Sequence, residues 1–198
     1  MRKKVGFGLL GVALSLLLSG CFMLQSFSVL DYTLSPGQVT KARFTLRPSN
    51  FDQGIGLSGP QFEFVVIGIA DDSELAVTTA KWGTNGSFGG PLTMPANGTL
   101  LTAMDDSCGA NGVNFTDITG IVWKLFVTPV EINDRNRFEQ KAVVEVGIKA
   151  KAAATVGNEE EIIGVAGEWN DANNNNAPDG GDFYLCEGIE TGWAHIVS

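Results

Sequence analysis

Histidine is almost missing from this chain: His195 is the only one in 198 residues. A single imidazole excludes a His-rich metal centre and a His-based acid–base pair. It stands in the alternating context Trp193-Ala-His195-Ile-Val197, which reads as a strand residue, exposed or satisfied. No Gly-x-Ser-x-Gly elbow and no phosphate-cradling glycine loop occurs. Aromatic residues make up only 9% of the chain. There are no heptads, no internal repeats of about 20–50 residues and, after the first twenty residues, no long apolar span. Basic charge is scarce as well. Of 13 Lys+Arg, three (Arg2, Lys3 and Lys4) open the chain, leaving 10 against 22 Asp+Glu from residue 21 onward, a formal −12. That balance argues against nucleic acid as a partner, and against lying flat on anionic lipid, because both are polyanions. What is plentiful is glycine, 25 residues, among short alternating apolar segments. Such a chain is β-rich with many turns.

The opening has a different composition. Arg2, Lys3 and Lys4 precede an uncharged apolar run from Val5 to Leu18. At ~1.5 Å per helical residue the run reaches roughly 21 Å, short of a ~30 Å hydrocarbon core, which suits an export signal better than a permanent span. It ends in Leu18-Ser19-Gly20-Cys21. This stretch resembles the lipobox of bacterial lipoproteins. The resemblance implies a helical signal peptide over 1–20, cleavage before Cys21, and covalent lipid on the Cys21 sulfur. Residues 21–25 would form the lipidated cysteine and a short tether, and 26–198 a single domain. Two or three acyl chains, at ~0.8 kcal/mol per buried methylene, hold a protein on a bilayer almost permanently. Phe22 rather than Asp follows the cysteine, which implies the outer membrane in a Gram-negative host.

Beyond the leader the pattern is one of strands. Ser26 to Leu34 reads as extended. Lys41 to Arg47 alternates strictly, aiming Ala42, Phe44 and Leu46 at a core. Phe62 to Ile69 is dense enough for a central strand. Val77, Thr78 and Thr79 favour strand over helix in Leu75 to Trp82. Gly83 to Gly98 reads as a long loop, and Thr99 to Met104 as a short strand before a polar turn at 105–112. Ile118 to Ile132 is a long strand, at an edge or bulged where Pro129 cannot donate. Val144 to Lys151 alternates and reads as its hairpin partner through Asp134-Arg135-Asn136-Arg137. Ile162 to Trp169 and Phe183 to Val197 supply the rest, the last broken near Gly188 or Gly192. These strands predict an all-β, antiparallel two-sheet sandwich, immunoglobulin-like or jelly-roll. Ser35-Pro36-Gly37-Gln38 before an alternating strand resembles the opening of bacterial immunoglobulin-like surface domains.

Cys108 and Cys186 form an even pair in an exported chain, which predicts a disulfide. Asp171-Ala-Asn173-Asn-Asn175-Asn176-Ala-Pro178-Asp179-Gly-Gly-Asp182 places side-chain oxygens at positions one, three, five, nine and twelve. The spacing resembles an EF-hand-type calcium loop, with Asn176 in place of the sixth-position Gly and Asp182 in place of the bidentate Glu. It implies a structural Ca²⁺ on Asp171, Asn173, Asn175, Asp179 and Asp182, with Asp105 and Asp106 brought near by the disulfide. The carboxylates Asp71-Asp72 and Glu159-Glu160-Glu161 read as solvated faces, and Trp82, Trp123, Trp169 and Trp193 as core. No catalytic residue emerges. The expected function is a membrane-tethered, non-catalytic envelope module, structural or binding an envelope protein or glycan. The alternative is a lipoprotein that binds carbohydrate or a small hydrophobic ligand under the Gly83–Gly98 loop.

Overall fold

The computed structural model describes residues 24–46, 59–83, 86–87, 92–94, 98–109, 112–132, 142–186 and 189–198. The leader, Cys21 and the 134–137 turn lie outside them. In chain order the described strands are β1 (Leu24–Val29), β2 (Thr33–Leu34), β3 (Val39–Leu46), β4 (Gln61–Ala70), β5 (Leu75–Trp82), β6 (Gly86–Ser87) and β7 (Leu92–Met94). A helix, α1 (Thr99–Cys108), precedes β8 (Ile121–Ile132), β9 (Ala142–Ala150), β10 (Glu159–Asn170), β11 (Phe183–Cys186) and β12 (Glu190–Ile196). They form a two-sheet sandwich. The first sheet runs β1-β3-β9-β5-β6 and the second β2-β12-β10-β4-β8-β7, with β11 and β12 pairing successive halves of β10. The pairings are antiparallel except for two residues of β2 alongside β12.

Alternation decides which side chains meet between the sheets. Ala42, Phe44 and Leu46 of β3 are buried while Lys41 and Arg43 are exposed, as the period-2 pattern requires. Val144, Val146 and Ile148 of β9 join them, facing Val65, Ile67, Ile162 and Ala166 of the second sheet. The approach is close: a Cβ on Gly164 would lie 2.6 Å from the Phe27 ring, so glycine is the residue that lets β1 pack there.

The second sheet is apolar on its other face too. Phe64, Val66, Trp123, Leu125, Val165 and Trp169 form a second core beneath α1 and Phe115. The expected strand at Thr99–Met104 is therefore a helix. Leu100, Leu101, Met104 and Cys108 are its buried residues, a helical stripe whose period needs more than the six residues of the expected strand to show. The expected hairpin of the long strand with Val144–Lys151 is also corrected. β8 pairs β4 and β7, whereas β9 sits between β3 and β5. β8 sends Phe126 to one core and Trp123 and Leu125 to the other, so it fits only the sheet covered on both sides. Within the Gly83–Gly98 stretch the described residues include β6 and β7.

Pro129 sits in the expected bulge. Phe62 pairs Glu131 and Phe64 pairs Val127, so Glu63 alone faces residues 128–130. The Thr128 hydroxyl accepts from Glu63 N–H at 3.1 Å and donates to Glu63 C=O at 3.0 Å, replacing a ladder bond the proline cannot make.

Candidate functional site

The polar loop leaves β10 at Asn170 and returns at β11. Asp171 is its pivot and is fully buried. Its Oδ1 accepts the Asn175 N–H at 3.1 Å and its Oδ2 the Asn176 N–H at 2.8 Å. Asn173 Oδ1 accepts from Asn175 N–H, Asn175 Oδ1 from Ala177 N–H, and Asp179 Oδ1 from Gly181 N–H. Each acceptor reaches two residues ahead, the turn geometry Asn and Asp favour. Asn174 and Asn176 take left-handed backbone, with φ of 56° and 59°. Asn tolerates that conformation better than other non-glycine residues, so Asn176 occupies the glycine position as the spacing requires.

Asp182 plays a different part. Its Oδ2 receives Trp169 Nε1–H at 2.8 Å and Asp179 N–H at 3.0 Å, and its Oδ1 receives Ala172 N–H at 3.1 Å. It ties the loop to the second core. The half-buried Asp179 carboxylate accepts the Asn173 and Asn175 amide N–H groups. The Gly181 N–H, followed by those two amides, holds its carboxyl below the usual range. Tyr184 donates to the Asp179 carbonyl at 2.7 Å, and burial, then the nearby Asp182 charge, pushes its phenol well up. Among the described residues no three carboxylate, imidazole or thiol side chains converge as a metal site. A bound ion would therefore depend on the amide oxygens of Asn173 and Asn175 beside Asp171 and Asp179. That donor set is all hard oxygen, the kind Ca²⁺ takes.

Cys108 and Cys186 are joined across 78 residues, tying the end of α1 to β11. In the chain-entropy model a loop that long contributes about 4.5 kcal/mol. The Asp105 carboxylate is engaged on the far side of the helix's end. It caps the turn after the helix, accepting from Phe115 N–H at 2.6 Å and Thr116 N–H at 3.2 Å. The loop instead meets the start of α1, where a Cβ on Gly180 would lie 2.9 Å from Thr99.

Two groupings escaped the sequence reading. Glu63 and Glu168 are paired across β4 and β10, 2% and 0% exposed, and point into the space between the sheets beside Asn170. Burial, then the Glu168 charge, raises the Glu63 carboxyl to about 8. The available signal was a lone Glu in each of two dense apolar runs. The other grouping is an open edge of the second sheet. Trp123 and Trp169 are core, but Trp193 is 46% exposed on β12, close to His195 and the 50% exposed Tyr32. Tyr32 and His195 lie nearly parallel, 10° apart with centroids at 6.0 Å. Tyr32 Oη donates to Glu159 Oε1 at 2.5 Å, which raises the Tyr32 phenol.

No family model matches the chain, and no curated protein matches it. Similar solved structures include AvmM, which catalyses macrocyclization in alchivemycin A biosynthesis (10% identity, 87% of each chain, TM-score 0.44). The sixth cohesin of scaffoldin B from Acetivibrio cellulolyticus, solved with a dockerin, shares 11% identity over 86% of this chain and 97% of its own, at TM-score 0.39. The seventh ScaB type I cohesin from Pseudobacteroides cellulosolvens shares 10% over 87% and 91%, at TM-score 0.37. At such scores none of them says what this chain does; its sandwich is defined by its own strand pairings.

Proposed function

We propose that this chain is an exported lipoprotein whose β-sandwich is a non-catalytic structural or interaction module of the cell envelope. The observation that carries the reading is Leu18-Ser19-Gly20-Cys21 at the end of a basic, then apolar, leader. Two features of the domain support it. β1 begins at Leu24, three residues past Cys21, so a lipid on that cysteine holds the sandwich within about 10 Å of the membrane. The Cys108–Cys186 disulfide suits an oxidising compartment. In a Gram-negative host Phe22 directs the protein to the outer membrane. The 171–182 loop takes a structural Ca²⁺ in this reading, a stiffening element between β10 and β11 and no part of any reaction.

Metabolic labelling with palmitate tests the anchor. The wild-type chain is expected to label and to partition into detergent, and Cys21→Ser to do neither. An unlabelled wild-type chain in the aqueous phase would refute it.

A further inference from the structure

The second sheet is only partly covered by the helical layer. On its outer side Ile163, Val165 and Trp169 lie under that layer, while Glu159 and Glu161 at the other end of β10 are exposed. Beside them run Trp193 and His195 of β12, opposite Glu161 and Glu159 in register. Both project away from the inter-sheet core, because Ala194 and Ile196 between and beyond them are buried in it. Tyr32 completes the row. It is held by its carbonyl, which accepts the His195 N–H at 2.6 Å, by its hydroxyl on Glu159, and by the parallel pairing of Thr33 with His195. His195 Nδ1 lies 3.8 Å from the same Glu159 Oε1 and has no hydrogen-bond partner.

Three rings therefore lie at this end of the sheet: His195 and Trp193, two residues and roughly 7 Å apart on one face of β12, and Tyr32, whose ring lies beside His195 from the neighbouring segment with centroids 6.0 Å apart. Carboxylates border them, and Tyr32 also walls a cleft of about 460 Å³ with Asp31, Thr33, Gln38 and Val39. The chemistry is specific. Flat ring faces stack on the C–H faces of a ring-shaped ligand, as amphipathic aromatics do at interfaces. Carboxylates accept charge-assisted hydrogen bonds from hydroxyl groups. Asp31, Glu159 and Glu161 around the rings repel an anionic ligand, and rings set singly between carboxylates do not make the continuous apolar patch a protein partner would cover. We infer that this edge is a binding site for an uncharged glycan chain, its sugar rings stacked along Tyr32, His195 and Trp193 and its hydroxyls donating to Glu159 and Glu161. The inference gives the interaction module proposed above a class of partner.

Titration of the folded full chain with an N-acetylglucosamine hexamer and with cellohexaose, against polygalacturonate as the anionic probe, tests it. Binding of at least one neutral probe is expected, with none of polygalacturonate. Trp193→Ala and Tyr32→Ala should each weaken it about tenfold, the value of a lost stacking partner. Trp193→Phe and Tyr32→Phe, which keep a ring, should retain most of it. Phe183→Ala, which removes a 49% exposed ring elsewhere, should change nothing. Absence of neutral-glycan binding, preference for polygalacturonate, or wild-type affinity in both alanine variants would overturn the site. Cys21→Ser tested alongside should bind as wild type does, so a failed anchor and a failed glycan site give different results.

Discussion

The two sheets are built from the same alternation and end with different exteriors. Among the described residues the first sheet's outer face is bare and carries four exposed cations, Lys41, Arg43, Lys81 and Lys149, around Glu145. Lys41 and Arg43 each reach Glu145 at 2.6 Å and hold its carboxyl below the usual range. The second sheet is roofed by α1 over half its outer face and is acidic and aromatic over the other half. The chain's negative charge is thus not spread evenly, and the whole-chain balance that argued against an anionic partner applies to the second sheet and not to the first.

The inner faces differ as well. The first sheet's is apolar apart from Thr40, whose hydroxyl accepts the Asp31 N–H, whereas the second sheet's ends in Glu63, Glu168 and Asn170. The lesson is that a strand's apolar density reports how many of its faces are covered. β3 and β9 alternate cleanly and have one wet face; β4, β8 and β10 place large apolar side chains on both because a third layer lies over them.

The largest expected effect separates covered from bare. Trp123→Ala, which opens a hole between β8 and Phe115, should cost about 3–5 kcal/mol in denaturant unfolding. Lys81→Ala on the bare face should stay within about 0.5 kcal/mol. Similar losses in both would mean the helical layer is an ornament and not a second core.

Glu63 sharpens the contrast inside the sandwich. Its carboxyl titrates near 4.5 in the unfolded chain and at about 8 in the folded one. Between those values the folded state keeps a proton that the unfolded chain has released. Its contribution to stability is therefore complete below about 4.5, falls as pH rises, and is gone above about 8. Glu63→Gln should match the wild type in acid and melt at a higher temperature in mild alkali. Parallel melting profiles across that window would place the group in water.

A smaller effect is expected at the polar loop, which closes on its own hydrogen bonds. Millimolar calcium should raise the wild-type melt by several degrees relative to chelator, and Asp179→Ala should erase the difference. Asp179 is the more informative position because it is only half-buried and accepts a single backbone N–H; removing the fully buried Asp171 would strip two backbone N–H groups of their acceptor whether or not an ion binds. Superimposable wild-type melts would leave the loop a hydrogen-bonded turn.

Much of this was legible in the residues. The sandwich, the inward set of β3, the bulge at Pro129, the disulfide and the left-handed Asn176 all follow from periodicity, proline chemistry, cysteine parity and spacing. Strand partners were not legible, because alternation specifies a face and not a neighbour, as β8 and β9 show. The helix was hidden because Leu100, Leu101 and Met104 satisfy either period in a short window. The aromatic edge was missed because Tyr32 and His195 are 163 residues apart in the chain and meet only through β2 beside β12.

The most direct measurement is the intact mass of the N-terminal peptide from membrane-extracted protein. The account predicts a chain that begins at Cys21 and carries a diacylglycerol thioether. A mature chain that begins at any other residue, or at Cys21 with an unmodified thiol, would contradict it.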